Sequence, residues 1–102
     1  MKYEFHPAAL QEYAEAVQFF AQQDKQQDFI DTIALGAGFA NENAIFRVIG
    51  APERWQIVEG QIRRCLTLKF SYAILYRVYP DRIVIAAIAS CRRDPSYWQE
   101  RL

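Results

Sequence analysis

The sequence predicts an α+β fold in the order β-α-α-β-β-β, with a helical hairpin packed on one face of an antiparallel sheet. Residues 62–98 contain three short apolar segments joined by tight turns, and each segment fits a strand of a meander. The preceding residues place apolar side chains at spacings of three and four, which is typical of amphipathic helices. The helices are therefore expected to cover one face of the meander.

Length and composition indicate one folded domain that spans residues 1–102. Of the residues, 52% are hydrophobic and 24% are charged, as in ordinary soluble proteins. The longest apolar run, residues 83–89, is far shorter than the roughly 18 residues of a membrane span, and the N-terminus lacks a signal-peptide core. Cys65 and Cys91 have no second ligand at metal-binding spacing. We expect a cytoplasmic protein without a metal, a cofactor or a membrane partner.

The charges are unevenly distributed along a chain whose net charge is zero. Residues 1–49 hold three basic and seven acidic side chains, a net charge of −4, whereas residues 50–102 hold nine and five, a net charge of +4. Because electrostatic fields act over roughly 8 to 10 Å at physiological salt, the C-terminal half favours an anionic surface or partner. The alternative is a domain whose two halves neutralise each other.

The N-terminal residues predict a strand followed by an amphipathic helix. Polar and apolar side chains alternate over residues 2–5, and Pro7 suits the first turn of a helix over residues 7–23. The predicted core stripe of this helix consists of Leu10, Tyr13, Val17 and Phe20. Glu12 and Glu15 fall on its other face, where we expect solvated carboxylates without a chemical role.

A second, weaker helix is predicted over residues 30–48. Its apolar stripe consists of Ile30, Ile33, Ala37, Ala40, Ala44 and Val48. Gly36 and Gly38 each cost about 1 kcal/mol relative to alanine inside a helix, so a break is expected near residues 36–43. A phosphate-binding loop is a poor interpretation of these glycines, because no βαβ unit surrounds them. Residues 53–60 are then expected to form a loop or irregular edge.

Alternation along the meander separates two faces of the sheet. A hairpin centred on Phe70 would place Arg63 directly opposite Arg77, and such like charges are unfavourable by up to about 1 kcal/mol. That pair would need solvent, a carboxylate or an anionic ligand. The face expected under the helices holds Ile62, Arg64, Leu66, Leu68, Tyr72, Ile74, Tyr76, Val78, Ile83, Ile85, Ala87 and Ala89. The other face would expose an apolar groove that a partner covers, formed by Leu75, Val84, Ala86 and Ile88.

The C-terminal residues place cations and aromatic rings close together in the sequence. Arg92 and Arg93 end the last strand, and Tyr97 and Trp98 follow a turn. Arginine binds phosphate bidentately and aromatic faces stack on bases, so this cluster suits phosphate or nucleotide contact. Trp98 equally suits a place under the sheet, where it would pin the C-terminal turn. The candidate residues for partner or anion binding are Arg63, Arg64, Lys69, Arg77, Arg92, Arg93 and Trp98.

Four segments resemble the RelE/ParE toxin superfamily, and the resemblance covers nearly the whole chain. They are HPAAL at the first helix, IRR at the start of the meander, FSYAILYRV in its middle and AIASCRRDPSYWQER at its end, where RRxPxYW is the most specific part. The resemblance implies the α+β fold and the toxin of a type II toxin–antitoxin module, of the plasmid stabilisation type that inhibits growth. The implied partner is a cognate antitoxin that wraps a helix and an extended segment over the toxin, and a homodimer is left open.

Two mechanisms divide this family, and the end of the chain is more similar to the ParE-like branch. ParE-like members act on DNA gyrase, which is therefore the implied target. RelE-like members are ribosome-dependent mRNA endoribonucleases that use no metal, and in that alternative Arg63, Arg92 and Tyr97 would be catalytic. Where the family usually has a histidine before the arginine pair, this chain has Ser90 and Cys91. A non-toxic binding module with the same fold is the third hypothesis.

Overall fold

The structure is a computed structural model that describes residues 2–33, 44–67 and 69–91, together with Trp98 and Arg101. Within these residues it contains three helices and five strands. Their bounds are β1 Lys2–Phe5, α1 Pro7–Ala21, α2 Gln26–Ile33, α3 Ala44–Gly50, β2 Gln56–Glu59, β3 Ile62–Leu66, β4 Tyr72–Val78 and β5 Arg82–Ser90. None of these three helices combines the length and the apolar character that crossing a membrane requires.

The five strands form one sheet in the order β1-β5-β4-β3-β2. Strand β1 runs parallel to β5 and the other neighbours are antiparallel, so the sheet is mixed rather than wholly antiparallel. Pairing on both sides suits β5, because its run of residues 83–89 is apolar and entirely buried. The predicted α+β fold, with helices packed against one face of a sheet, is confirmed.

Strand β2 corrects the predicted loop at residues 53–60. Gln56–Glu59 pairs antiparallel with β3, with an irregularity between Ile57 and Glu59. A short turn through Gly60 joins the two strands, and Gly60 has a φ of 53°, in the left-handed region that glycine adopts without strain. Four residues with a bulge give too little alternation for the sequence pattern to reveal the strand.

Helix α1 begins where the sequence predicts. The N–H of Ala8 donates to His6 Nδ1 over 3.1 Å, and Pro7 occupies the first turn, where a missing N–H is no loss. The predicted core stripe is partly wrong, because Leu10 is 50% exposed while Ala9 is fully buried. Small alanines at the contact allow the helix to approach the sheet closely, and this turns Leu10 towards solvent.

The predicted second helix corresponds to two helices, α2 and α3. The predicted break at residues 36–43, with Ala37 and Ala40 of the stripe, lies outside the described residues. On either side of it the stripe points inward as expected, since Ile33, Ala44 and Val48 are all fully buried.

The predicted register between β3 and β4 is wrong by one residue. Arg63 lies opposite Tyr76 and Ile62 lies opposite Arg77, so the predicted pair of facing arginines does not form. The connection between β3 and β4 has an even number of residues, whereas the predicted register requires an odd number. Within this connection, Phe70 and Ser71 both have positive φ values, 70° and 53°. The shift also exchanges the two faces of β3 relative to the prediction. Cys65 is therefore buried under the helices, and Leu66 is 48% exposed.

A β-bulge at Ala86 changes which residues of β5 point towards the helices. Tyr76 pairs with Ile85 and Leu75 pairs with Ala87, which leaves Ala86 as the extra residue. Ile85 therefore lies under the helices, while Ala87 lies on the opposite face, contrary to prediction. Ala89 changes face for the same reason.

Each face of the sheet has its own apolar cluster. The cluster under the helices includes stacked rings of Phe20 and Phe29, whose centroids are 4.8 Å apart. The cluster on the opposite face, called the outer face below, contains Ile62, Leu75, Ala87, Ala89 and Trp98. The predicted exposed groove is absent from the described residues, because Leu75, Val84, Ala86 and Ile88 are at most 8% exposed within the chain itself. The prediction that a partner must cover that groove is therefore wrong.

Candidate functional site

Trp98 packs on the outer face of the sheet. Its side chain is 4% exposed and contacts a small apolar cluster that includes Ile62 and Leu75. The sequence left open whether Trp98 contacts a nucleotide or packs against the sheet, and the structure shows that it packs against the sheet. A ring buried to this extent is unavailable for stacking on a nucleotide base.

Two of the predicted anion-binding residues, Arg64 and Arg77, lie on the outer face beside this cluster. Arg64 is opposite Leu75 and Arg77 is opposite Ile62, which makes the two arginines diagonal neighbours on adjacent strands. Arg64 is exposed, while Arg77 places its guanidinium 4.8 Å from the ring centroid of Tyr79. The buried Nε of Arg77 has no hydrogen-bond partner among the described residues. We call Arg64 and Arg77 the outer-face pair.

Arg63 lies on the helix side of the sheet, separated from the outer-face pair. Its Nη1 donates to the carbonyl oxygens of Glu53 and Trp55, over 3.0 and 2.7 Å. The hydroxyl of Tyr76, opposite Arg63, donates to the carbonyl oxygen of Pro52 over 2.6 Å. Both side chains hold the segment between α3 and β2 against the sheet.

The remaining predicted site residues fall into two groups. Lys69 is exposed and forms an ion pair of 3.7 Å with Asp28 of α2. Arg92, Arg93 and Tyr97 lie outside the described residues.

Glu12 is far from the solvated carboxylate that the sequence predicts. It forms a two-pronged ion pair with Arg101, with N–O distances of 2.9 and 3.0 Å, and its side chain is only 11% exposed. Strand β1 ends at Phe5, and among the described residues no strand pairs with this edge of β5 beyond Ile85. The N–H of Ile88 donates to Glu12 at this edge, while Arg101 donates to a carbonyl. The pair thus satisfies backbone groups that β1 leaves unpaired.

The accepting carbonyl is that of Ala86, the bulged residue, at 2.9 Å from Arg101 Nη1. The ion pair therefore satisfies a backbone group of the bulge itself. No local pattern in the sequence could have indicated this contact, because it joins the first helix to the end of the chain.

A cluster of cations around Trp55 also escaped sequence analysis. The guanidinium carbons of Arg47 and Arg54 lie 5.5 and 5.3 Å from the ring centroid of Trp55. The indole N–H donates to the carbonyl oxygen of Arg47 over 3.4 Å, and Arg47 Nη2 donates to that of Leu66 over 3.0 Å. With Arg63, which holds the Trp55 carbonyl, these residues form what we call the Trp55 cluster.

A groove opens between α1 and the end of the sheet, beside the exposed ring of Phe19. Its volume is about 530 Å³, and Phe19 is 54% exposed. A smaller groove of about 210 Å³ continues along α1 past Glu15 and Ala16. The larger groove is lined by Phe19, Phe20, Gln23, Phe70, Ser71, Tyr72 and Ser90, and we call it the Phe19 groove.

Burial raises the pKa values of three side chains beneath the helices, Cys65, Tyr72 and Tyr76. It raises the pKa of the Cys65 thiol, an effect that the nearby Arg47 partly opposes, and it raises the pKa of Tyr72. Burial also raises the pKa of Tyr76 strongly. These groups therefore stay protonated at neutral pH and are unsuited to act as bases. The described residues hold no group of three or more side chains that could bind a metal ion.

Comparison with known proteins shows the fold. No protein-family model matches the sequence, and no curated protein matches it significantly. Among solved structures, the fold is similar to that of the chromosomal ParDE TA system from P. aeruginosa, with a TM-score of 0.62 and 9% identity. The match covers 88% of this chain and 95% of that chain. With so low a sequence identity, the match shows a common fold, and this is the α+β fold that the sequence predicts.

Proposed function

We propose that this chain is the ParE-like toxin of a type II toxin–antitoxin module, that it acts on DNA gyrase and that a cognate antitoxin neutralises it. The observation that carries the proposal is a shared fold that covers 88% of this chain and 95% of a chain from a ParDE TA system. The RRDPSYW ending supports the toxin role, because that motif is the most specific part of the resemblance to RelE/ParE toxins.

The position of Arg63 favours the ParE-like branch over the RelE-like one. A ribonuclease of the RelE type would need Arg63, Arg92 and Tyr97 to converge on one phosphate. The guanidinium of Arg63 instead donates to two backbone carbonyls on the helix side of the sheet. This arrangement suits a structural role.

The two proposed partners fit different surfaces. The outer-face pair supplies positive charge, from the exposed Arg64 and the half-buried Arg77, on the sheet face opposite α1, α2 and α3, which suits contact with a large acidic target. The Phe19 groove offers the exposed ring of Phe19 with three further aromatic side chains among polar ones, which suits one side of an amphipathic antitoxin helix.

Expression of the chain alone in bacteria tests the toxin role. We expect growth arrest, and we expect co-expression of the cognate antitoxin to restore growth. Normal growth while folded protein accumulates would contradict the proposal.

Purified gyrase then tests the target. The chain should inhibit supercoiling of relaxed plasmid, and addition of the antitoxin should restore it. Cleavage of mRNA in the ribosomal A site, with supercoiling unaffected, would instead identify the chain as RelE-like. Phe19→Glu should weaken antitoxin binding and leave inhibition of gyrase unchanged, with exposed Leu10→Glu on the same helix as the control.

A further inference from the structure

The two edges of the sheet differ in how well they could accept a further strand. The edge strands are β1 and β2. Strand β2 has an irregularity between Ile57 and Glu59, and such bulges protect an edge against pairing with other chains. Strand β1 is regular through all four of its residues and contains no proline, and among the described residues no strand pairs with its free edge. An edge of this kind is a template for another strand.

The backbone groups of Tyr3 point towards the free edge of β1. The N–H of His6 donates to the carbonyl oxygen of Ile85 in β5, so the N–H of His6 faces β5. Backbone groups alternate between the two sides of a strand, and those of Lys2 and Glu4 therefore also face β5. The N–H and C=O groups of Tyr3 face the opposite way. They are available to a strand that is added at this edge.

The side chains of β1 complement each other in one two-fold register. When two copies of β1 run antiparallel with Tyr3 opposite Tyr3, Lys2 of each copy lies opposite Glu4 of the other. A register centred on Lys2 or on Glu4 would instead place identical charges opposite each other. Opposite charges on facing strands stabilise a sheet, and like charges destabilise it. In the register centred on Tyr3, the outward N–H and C=O groups of the two Tyr3 residues also exchange hydrogen bonds.

Both charged side chains of β1 are available for this pairing. Lys2 is exposed and forms no ion pair with any residue that the structure describes. The side chain of Glu4 is 60% exposed and lies 3.4 Å from Nε of Arg82. Lys2 of a second copy would add a second cation beside Glu4. Ion pairs joined into a network stabilise more than isolated surface pairs do.

The other face of β1 offers aromatic surface to the same partner. Tyr3 pairs with Ile83, a residue of the cluster under the helices, which places the Tyr3 ring on the helix side. The ring is 41% exposed and lies 5.9 Å from that of Phe5. Helix α1 packs mainly over β5, so it leaves room beside β1. The two-fold pairing would bring two Tyr3 rings side by side, and such cross-strand aromatic pairs are favourable.

We propose that a second copy of this chain pairs with β1, antiparallel and with Tyr3 opposite Tyr3, so that two five-stranded sheets join into one. The surface shares no residue with the outer-face pair or the Phe19 groove, and the proposal therefore does not depend on the toxin activity. Two short strands bury less than the roughly 1,200 Å² of a stable interface. The dimer is accordingly expected to dissociate on dilution.

Sedimentation equilibrium of the full chain over a wide range of concentrations tests the proposal. The wild type should dimerise reversibly. Lys2→Glu and Glu4→Lys should each raise the dimer dissociation constant about tenfold or more, because two opposite-charge pairs become two like-charge pairs. Glu59→Lys makes the same charge change at the other edge of the sheet and should leave the dissociation constant unchanged. All three side chains are exposed, so the melting temperatures should stay within a few degrees of the wild type.

A mixture of the two single variants tests the register itself. Neither Lys2→Glu nor Glu4→Lys should dimerise well alone, but in their mixture each acidic side chain of one variant faces a lysine of the other. The mixture should therefore form a heterodimer, and the double variant Lys2→Glu/Glu4→Lys should dimerise like the wild type. Amide hydrogen exchange locates the contact in the wild type. Dimerisation should slow exchange of the Tyr3 amide and leave that of Glu4, which faces β5, unchanged.

Three results would overturn the proposal. The first is a wild type that stays monomeric at every concentration. The second is a dimer that tolerates both single variants, or a mixture of them that fails to associate. The third is slower exchange of the Tyr3 amide only when an antitoxin binds the monomer, because the edge of β1 would then belong to that partner.

Discussion

The two faces of the sheet differ in how much apolar surface packs against them. Three helices and a cluster of aromatic and aliphatic side chains cover the helix side, where Phe29, Ile74 and Ile85 are fully buried. On the outer face, Trp98 packs on a smaller cluster that consists of Ile62, Leu75, Ala87 and Ala89. Since burial of apolar surface is the main favourable term in folding, most of the stability comes from the helix side. The outer face carries Arg64 and Arg77, which we propose contact the target.

A truncation in the helix-side core should have the largest effect. Phe29→Ala removes a fully buried ring that contacts Phe20, Phe70 and Tyr72, and should lower the free energy of unfolding by about 3 to 5 kcal/mol. Urea denaturation measures the change. Phe19→Ala, on the exposed side of α1, is the matched control and should cost less than about 1 kcal/mol. Equal losses for the two would contradict the described packing of α2.

The same truncation on the outer face should cost less. Trp98→Ala should lower the free energy of unfolding by about 3 kcal/mol, at the low end for a buried tryptophan, because Ala87 and Ala89 offer it little surface. A loss greater than that of Phe29→Ala would show that the two faces contribute to stability in the opposite order.

Removal of the charge on Glu12 tests the ion pair that joins α1 to the C-terminal end. Glu12→Gln removes the carboxylate charge that pairs with the largely buried guanidinium of Arg101 and should cost about 2 kcal/mol. Glu15→Gln, one turn along the same helix and exposed, should stay within about 0.5 kcal/mol of the wild type. If both variants have the same urea midpoint of unfolding as the wild type, the ion pair does not contribute to stability and Glu12 is solvated, as the sequence predicts.

The dependence of stability on pH should reflect the buried side of the sheet. Burial raises the pKa values of Cys65 and Tyr76 above their ordinary 9.0 and 10.0 in the folded state. The stability that these neutral groups contribute is fully present below pH 9 and is lost as the pH rises above it. Tyr76→Phe should cost about 1 kcal/mol at pH 7, through the lost hydrogen bond to Pro52, and should weaken the decline above pH 10. An identical decline in both proteins would exclude Tyr76 as its cause.

Lys69 should have the smallest effect on stability. Its ion pair with Asp28 is more than half exposed at both side chains, so Lys69→Ala should change the free energy of unfolding by less than about 0.5 kcal/mol. Chemical denaturation checks this value. A larger loss would mean that the ion pair anchors α2 to the β3–β4 connection.

The fold was predictable from the sequence because its local signals are strong. Pro7 and the apolar spacing specify α1, and the alternation of β4 places Ile74 and Tyr76 correctly under the helices. The faces of β3 and of the second half of β5 were not predictable. They depend on a four-residue connection with two left-handed residues and on the bulge at Ala86, and neither leaves a periodic pattern.

The candidate sites were less predictable than the fold. Arg64 and Arg77 were predicted as site residues because of their charge, and both lie on the outer face. Arg63 was predicted for the same reason, but the one-residue register shift puts it on the other side of the sheet. The contact between Glu12 and Arg101 forms only when the chain is folded, so residue type and spacing could not indicate it.

Growth arrest by the wild type and by an outer-face variant provides the most direct test of the proposed function and its location. In Arg64→Ser/Arg77→Ser both charges of the outer-face pair are removed while the two apolar clusters stay intact. We expect the wild type to arrest growth, and the variant to accumulate in folded form, bind the antitoxin and leave growth unaffected. Equal arrest by the folded variant would contradict the outer face as the site of action, and normal growth with the folded wild type would contradict the toxin role itself.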